Sequence, residues 1–138
     1  ADARRSFDRA EESLRAGKLE EGVAHCRRAL EESPDFLPAL VRLASLLATA
    51  EDEKVRDPEE AVALAEKACG LTGYTDPAAL GVLAAAYAER GQFGTAVHTA
   101  ERALRFARAA QNEPLAAALE RQLGRYRQNK PARRPTAR

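Results

Sequence analysis

The chain has 138 residues, enough for one domain with a core of its own. Its 45% hydrophobic and 31% charged residues are the balance of a folded globular protein, not of a disordered chain. The net charge is +1, which sets up no long-range field toward nucleic acid or an anionic membrane, and no run of eighteen apolar residues is present to cross a bilayer.

The apolar periodicity predicts helices throughout. The first covers residues 2–16, with Phe7, Ala10 and Leu14 on one stripe, and Gly17 ends it. The second covers 19–32 through Leu19, Val23, Cys26, Ala29 and Leu30. In "SPDF" (33–36) Pro34 closes that element and Asp35 is placed to cap the next. The third helix, "FLPALVRLASLLATA" (36–50), is very apolar, and the polar "EDEKVRDP" (51–58) follows it. Asp57–Pro58 starts the fourth helix (58–70), and after the loop 70–77 the fifth runs over 77–90 to Gly91. The sixth spans 93–110; Pro114 then opens a seventh that reaches about Gln128. No segment alternates with a period of two, so no sheet is predicted.

Residues 129–138 contain Lys130, Arg133, Arg134, Arg138 and no acid, and with Pro131 and Pro135 they are expected to form a basic disordered tail. A solvated terminus accounts for that charge better than contact with nucleic acid or lipid, so no nucleic-acid partner is expected. Arginine outnumbers lysine by 18 to 4, the bias of a G+C-rich bacterial genome. The chain starts at Ala1, lacks methionine, and is helical in pattern by Arg4. It is expected to be the C-terminal part of a larger bacterial protein. Its compartment stays open: cytoplasmic, or extracytoplasmic if attached to a membrane protein.

The chain repeats itself. "GKLEEGVAHCRRAL" (17–30) aligns without a gap on "GQFGTAVHTAERAL" (91–104), and "DPEEAVALAEKAC" (57–69) lies between them. Gly22, Ala61 and Ala96 occupy matching places, which gives a period of about 34 to 35 residues with a few extra before Asp57. Two helices per unit at this period resemble the tetratricopeptide repeat. The third unit has Leu83, Ala84, Tyr87, Gly91, Ala96, Ala100 and Ala103 at the motif positions. The first matches through Ala10, Gly17, Gly22, Cys26, Ala29 and Pro34, and the second through Leu43, Ala44, Leu47, Ala61, Ala65 and Ala68. The family's leading tryptophan is replaced by Ser6, Leu40 and Leu80; the second unit lacks the turn glycine and the third the closing proline.

The resemblance implies an all-α, right-handed α-solenoid of three antiparallel helix pairs plus a capping helix. Repeats fall at about 3–36, 37–76 and 77–110, and a capping helix at 113–128 closes a domain over 1–128. Its small residues are spacers that let helices approach, since each unit has an apolar face that only the next unit covers. The last sixty residues also resemble the closing segment of repeat arrays attached to bacterial membrane proteins, including multi-spanning glycosyltransferases.

Candidates for chemistry are few. Neither GxxxxGK[ST] nor GxGxxG occurs, so no phosphate loop is expected. His25 and Cys26 are sequence neighbours and point about 100° apart on a helix, the wrong arrangement for a nucleophile and its base. Cys26 and Cys69 are expected to be buried structural thiols. No enzyme activity, cofactor or metal site is expected.

The resemblance implies instead a protein-interaction scaffold, whose first helices line a concave groove for a protein or peptide segment. Carried over by position, the groove residues are Arg4, Phe7, Glu11, Leu14 and Arg15; Val41, Arg42, Ser45 and Thr49; and Ala78, Gly81, Ala85, Ala88 and Glu89. The Lys/Asn clamp by which some members hold a terminal carboxylate is missing. An apolar segment over Gly81 and Ala85 is the expected ligand, with Arg4 and Arg42 meeting acidic residues; equally, those small residues could receive the chain's own closing helix. The rival roles are homo-oligomeric assembly through the first helix and service as an accessory domain of a linked membrane enzyme.

Overall fold

The computed structural model describes residues 2–133. Those residues form seven α-helices and no strand: α1 (Asp2–Arg15), α2 (Leu19–Glu32), α3 (Leu37–Thr49), α4 (Pro58–Leu71), α5 (Pro77–Glu89), α6 (Phe93–Ala109) and α7 (Glu113–Arg127). Each helix packs on the next in the chain, and the odd-numbered α3, α5 and α7 also touch in sequence order. The result is a solenoid-like stack of three helix pairs closed by α7.

Local chemistry sets the helix ends. Asp57 accepts a hydrogen bond from the Glu60 amide at 3.2 Å, and Asn112 accepts one from the Leu115 amide at 3.2 Å. The expected cap at Asp35 does not form. Phe36 holds the N-cap position of α3, and Asp35 pairs with Lys67 of α4 at 3.2 Å. Five of the seven helix stops, all but those of α2 and α3, share one geometry. Gly17, Gly73, Gly91, Gln111 and Asn129 have positive φ. The amide that follows each of them bonds a carbonyl five residues back: Lys18 to Ser13, Tyr74 to Cys69, Gln92 to Tyr87, Asn112 to Ala107 and Lys130 to Arg125. This left-handed closure satisfies carbonyls that a helix end would otherwise leave bare. Glycine takes it without strain at 17 and 91, where the chain reverses between the helices of a pair.

The crossings are built on small side chains. Ala10, Cys26 and Ala29 in the first unit, Ala61 and Ala68 in the second, and Ala96, Ala100 and Ala103 in the third are 0% exposed. At Gly22 a Cβ would come within 2.5 Å of Leu14 Cδ2, so α1 and α2 meet where no side chain fits unless Leu14 moves. Leu14 therefore belongs to this crossing and not to a binding face. Between the small residues, Leu40, Leu43, Leu47, Leu80 and Leu119 fill the core, each 1% exposed.

The extra residues before α4 are structural. The Asp57 amide returns to Leu47 O at 2.8 Å, and Arg56 Nη1 donates to Ala50 O at 2.7 Å, closing the end of α3. Outer-face ion pairs join elements two apart or adjacent, such as Arg27–Glu60 at 2.6 Å and Arg127–Glu101 at 3.0 Å. Such exposed pairs contribute about 0–1 kcal/mol each.

The C-terminal segment departs from expectation. Residues 129–133 do not trail off as a disordered tail: Arg125 donates to Pro131 O at 2.7 Å and to Arg133 O at 3.1 Å, and Ala132 packs on the core. One guanidinium fork holding two carbonyls overrides the weak folding tendency of the Pro-containing sequence. Residues 134–138 lie outside the described part.

Candidate functional site

The face shared by α1, α3, α5 and α7 is hollow. Its groove has a volume of about 490 Å³, within the range of roughly 300–1,000 Å³ typical of ligand sites. Phe7 enters from α1; Val41, Arg42, Ser45 and Thr49 from α3; Ala78, Gly81, Val82 and Ala85 from α5; Leu115, Ala118, Leu119 and Gln122 from α7. Helical spacing puts one side chain per turn of α3 and α5 on this face, and the crossing alanines beneath keep the helices close enough to form its floor.

The structure brings together Phe7, Val41, Arg42, Ser45, Thr49, Ala78, Gly81 and Ala85 as one lining. It places the others elsewhere. Arg4 lies over the Phe7 and Phe36 rings, 5.9 and 5.2 Å from their centroids. Arg15 ends α1 in solvent, and Ala88 is buried among the helices. Glu11 is taken up by Arg42, whose Nη2 and Nε donate to its Oε1 at 2.8 and 3.1 Å. Arg42 is thus already paired within the chain, whereas Arg4 is exposed and, among the described residues, meets only the two rings. Glu89 is also engaged inside the molecule: its side chain is 8% exposed, and its Oε1 accepts from Arg133 Nε at 2.8 Å and forms an ion pair with Arg56 Nε at 3.1 Å.

Gly81 lies against the closing helix as well as on the groove. A Cβ there would meet Leu119 Cδ2 at 3.2 Å, so α7 already occupies that side. The remaining hollow lies toward α1 and α3, with Leu115, Leu119 and Gln122 as its far wall. The sequence reading omitted this wall, together with Leu37, Pro38, Asp76 and Val82. The spacing of 115, 118, 119 and 122 was the available signal, because it marks a second stripe on α7 beside the one that packs on α6.

Outside the groove, burial raises two thiols and two phenols. Burial pushes both thiols up to about 11 from 9.0, at Cys26 and Cys69 alike. Tyr87 is raised by burial and by the Glu66 carboxylate, to which its hydroxyl donates at 3.3 Å. Burial likewise raises Tyr126. His98 is 87% exposed beside Glu101. Among the described residues, no three His, Cys, Asp or Glu side chains form a group able to hold a metal ion, and no helix is long and apolar enough to cross a membrane.

The thiols give a direct prediction. Both are 0% exposed and protonated at pH 8, so a thiol reagent should leave them untouched in the native protein and modify both after denaturation. Because their folded values are raised, their contribution to stability is complete below pH 9. It should decline as the pH rises from 9 through 11, which unfolding midpoints across that window will check.

No protein-family model matches the chain, and no curated protein matches it.

Proposed function

We propose that the chain is a tetratricopeptide-repeat interaction module, bacterial and non-catalytic, whose groove receives an apolar segment of a partner protein. The observation that carries this reading is the convergence of three first helices on one hollow. Residues chosen by repeat position, from Phe7 to Ala85, line it together despite lying up to 78 apart in sequence. The lining is mostly apolar, with Phe7, Leu37, Val41, Val82 and Leu115 as walls and Asp76, Arg42 and Gln122 at polar points around them. That pattern suits an amphipathic helix or extended strand that buries its apolar side and leaves its backbone ends in water. Groove binding is also favoured over end-to-end assembly, because the outer residues of the first pair, Arg5, Asp8, Arg9, Glu12 and Arg28, are exposed and charged.

The test uses peptides selected on the full chain from a displayed random library. Their affinities are then measured against the native chain and against Val82→Arg, which puts a cation on the half-buried groove wall. Selected peptides should be apolar or amphipathic and lose about tenfold or more in affinity, or at least 1.4 kcal/mol. The melting temperature serves as the control for folding. Equal affinity for the two proteins would reject the groove as the site. Gly81→Leu is unsuitable for this purpose, because it strikes Leu119 before it reaches any ligand.

A further inference from the structure

A second site lies at the end of the stack where α5 and α7 finish. Gly81 sits against Leu119, which fixes the register of these two helices. Glu89 is eight residues on from Gly81 and Tyr126 seven on from Leu119, about 12 and 10.5 Å along their axes, so both reach the same level. They carry the two buried side-chain oxygens that have no hydrogen-bond partner among the described residues, Glu89 Oε2 and Tyr126 Oη. Two arginines meet one acid here, and a third holds the chain beside it. Arg56 arrives from the α3–α4 connection, Arg125 from α7 and Arg133 from the C-terminal segment.

What occupies this corner is a short irregular stretch of chain, gripped in three ways. Arg125 holds the carbonyls of residues 131 and 133, a contact to the backbone alone. Ala132 packs on the core. Arg133 donates through Nε to Glu89 Oε1 at 2.8 Å, and its side chain is 23% exposed. The carboxylate that receives it is more than nine-tenths buried and still has an oxygen to offer. A main-chain fork, a place against the core for a small side chain, and a buried acid for a guanidinium are the parts of a peptide-recognition site.

We propose that this corner is a docking site for a short arginine-bearing protein segment, a small residue followed by arginine. The chain's own Pro131–Arg133 is its resting occupant. A partner segment of that chemistry enters by displacing it. Because Arg133 and Arg56 share one carboxylate oxygen, departure of Arg133 leaves Glu89 paired with Arg56 and not bare, which makes the exchange accessible.

The full chain supports two measurements. Beyond Gln128, trypsin has one bond to cut, Arg133–Arg134, since Lys130 and Arg134 both precede proline. Cutting requires Arg133 to leave Glu89. Glu89→Gln should therefore speed this cleavage by about tenfold, in line with a weakened charge-assisted contact, while cleavage at Arg105–Phe106 within α6 stays slow as the control for global opening. The second measurement is anisotropy of a labelled peptide, Asn-Lys-Pro-Ala-Arg-Arg. It should bind the Arg133→Ala protein about tenfold or more tightly than it binds the native chain. It should lose that binding when alanine replaces its first arginine. Unchanged cleavage in Glu89→Gln would show that the segment does not rest on Glu89. A peptide that prefers neither protein would show a fixed part of the fold in place of an exchangeable ligand. Either result overturns the proposal.

Discussion

Replacing Ala100 with leucine should destabilise the protein by about 1–3 kcal/mol, and by more if α5 and α6 cannot move apart. Ala100 is 0% exposed in the middle of the third helix pair, where α6 crosses its neighbours. Leucine and alanine are both strong helix formers, so the loss will report overpacking and not propensity. Ala63→Leu provides the matched control. It is the same substitution, also within a helix, but Ala63 faces solvent, and its effect should stay within about 0.5 kcal/mol. Urea unfolding of the two variants decides the matter. Equal midpoints would mean that the crossing alanines are not spacers.

Leu43→Ala should cost more, about 2–5 kcal/mol, because it leaves a cavity in the helix that joins the units. Leu43 is 1% exposed, and α3 packs on α2, α4 and α5. Against a total stability of about 5–15 kcal/mol this is a large fraction. A stack held by neighbour contacts also has a specific way to fail at its middle. The first pair and the α5–α7 end should begin to unfold separately, which lowers the apparent m value along with the midpoint. Denaturant curves followed by circular dichroism will show whether the slope drops. A simple shift at constant slope would mean that the helices cooperate as one block.

The two variants probe what was most legible in the sequence. Helix positions were written in Asp57–Pro58 and in the stops at Gly17 and Gly91, and in the apolar stripes between them. All of these act over a few residues, where pattern and geometry are tied together. The crossing alanines were legible because they recur at a fixed period. The groove was legible only in part. Its α1, α3 and α5 walls follow from repeat position, but α7 belongs to no repeat, and its inward stripe has no counterpart to align with. Arg4, Glu11 and Glu89 were read as groove residues, and Arg42 as free to meet a ligand, because register alone cannot reveal a partner. Glu11 and Arg42 lie 31 residues apart, and Glu89 and Arg133 lie 44 apart. Nothing local in the chain announces either pair. The same holds for residues 129–133, whose composition reads as solvated until the Arg125 fork is seen.

The order of the stack also bears on how the chain reaches it. Every pair of helices that touches extensively is adjacent or separated by one helix, so the helix stack itself waits for no distant segment. Loop-closure cost is low for such pairings, which favours fast folding. During synthesis, α1 and α2 can close as soon as both have emerged, and each later helix meets a face that is already formed. The last step differs in kind. The Glu89 side chain is in place well before Arg133 is made, with Arg56 as its earlier ion-pair partner, so this corner of the stack is completed by residues made after α7.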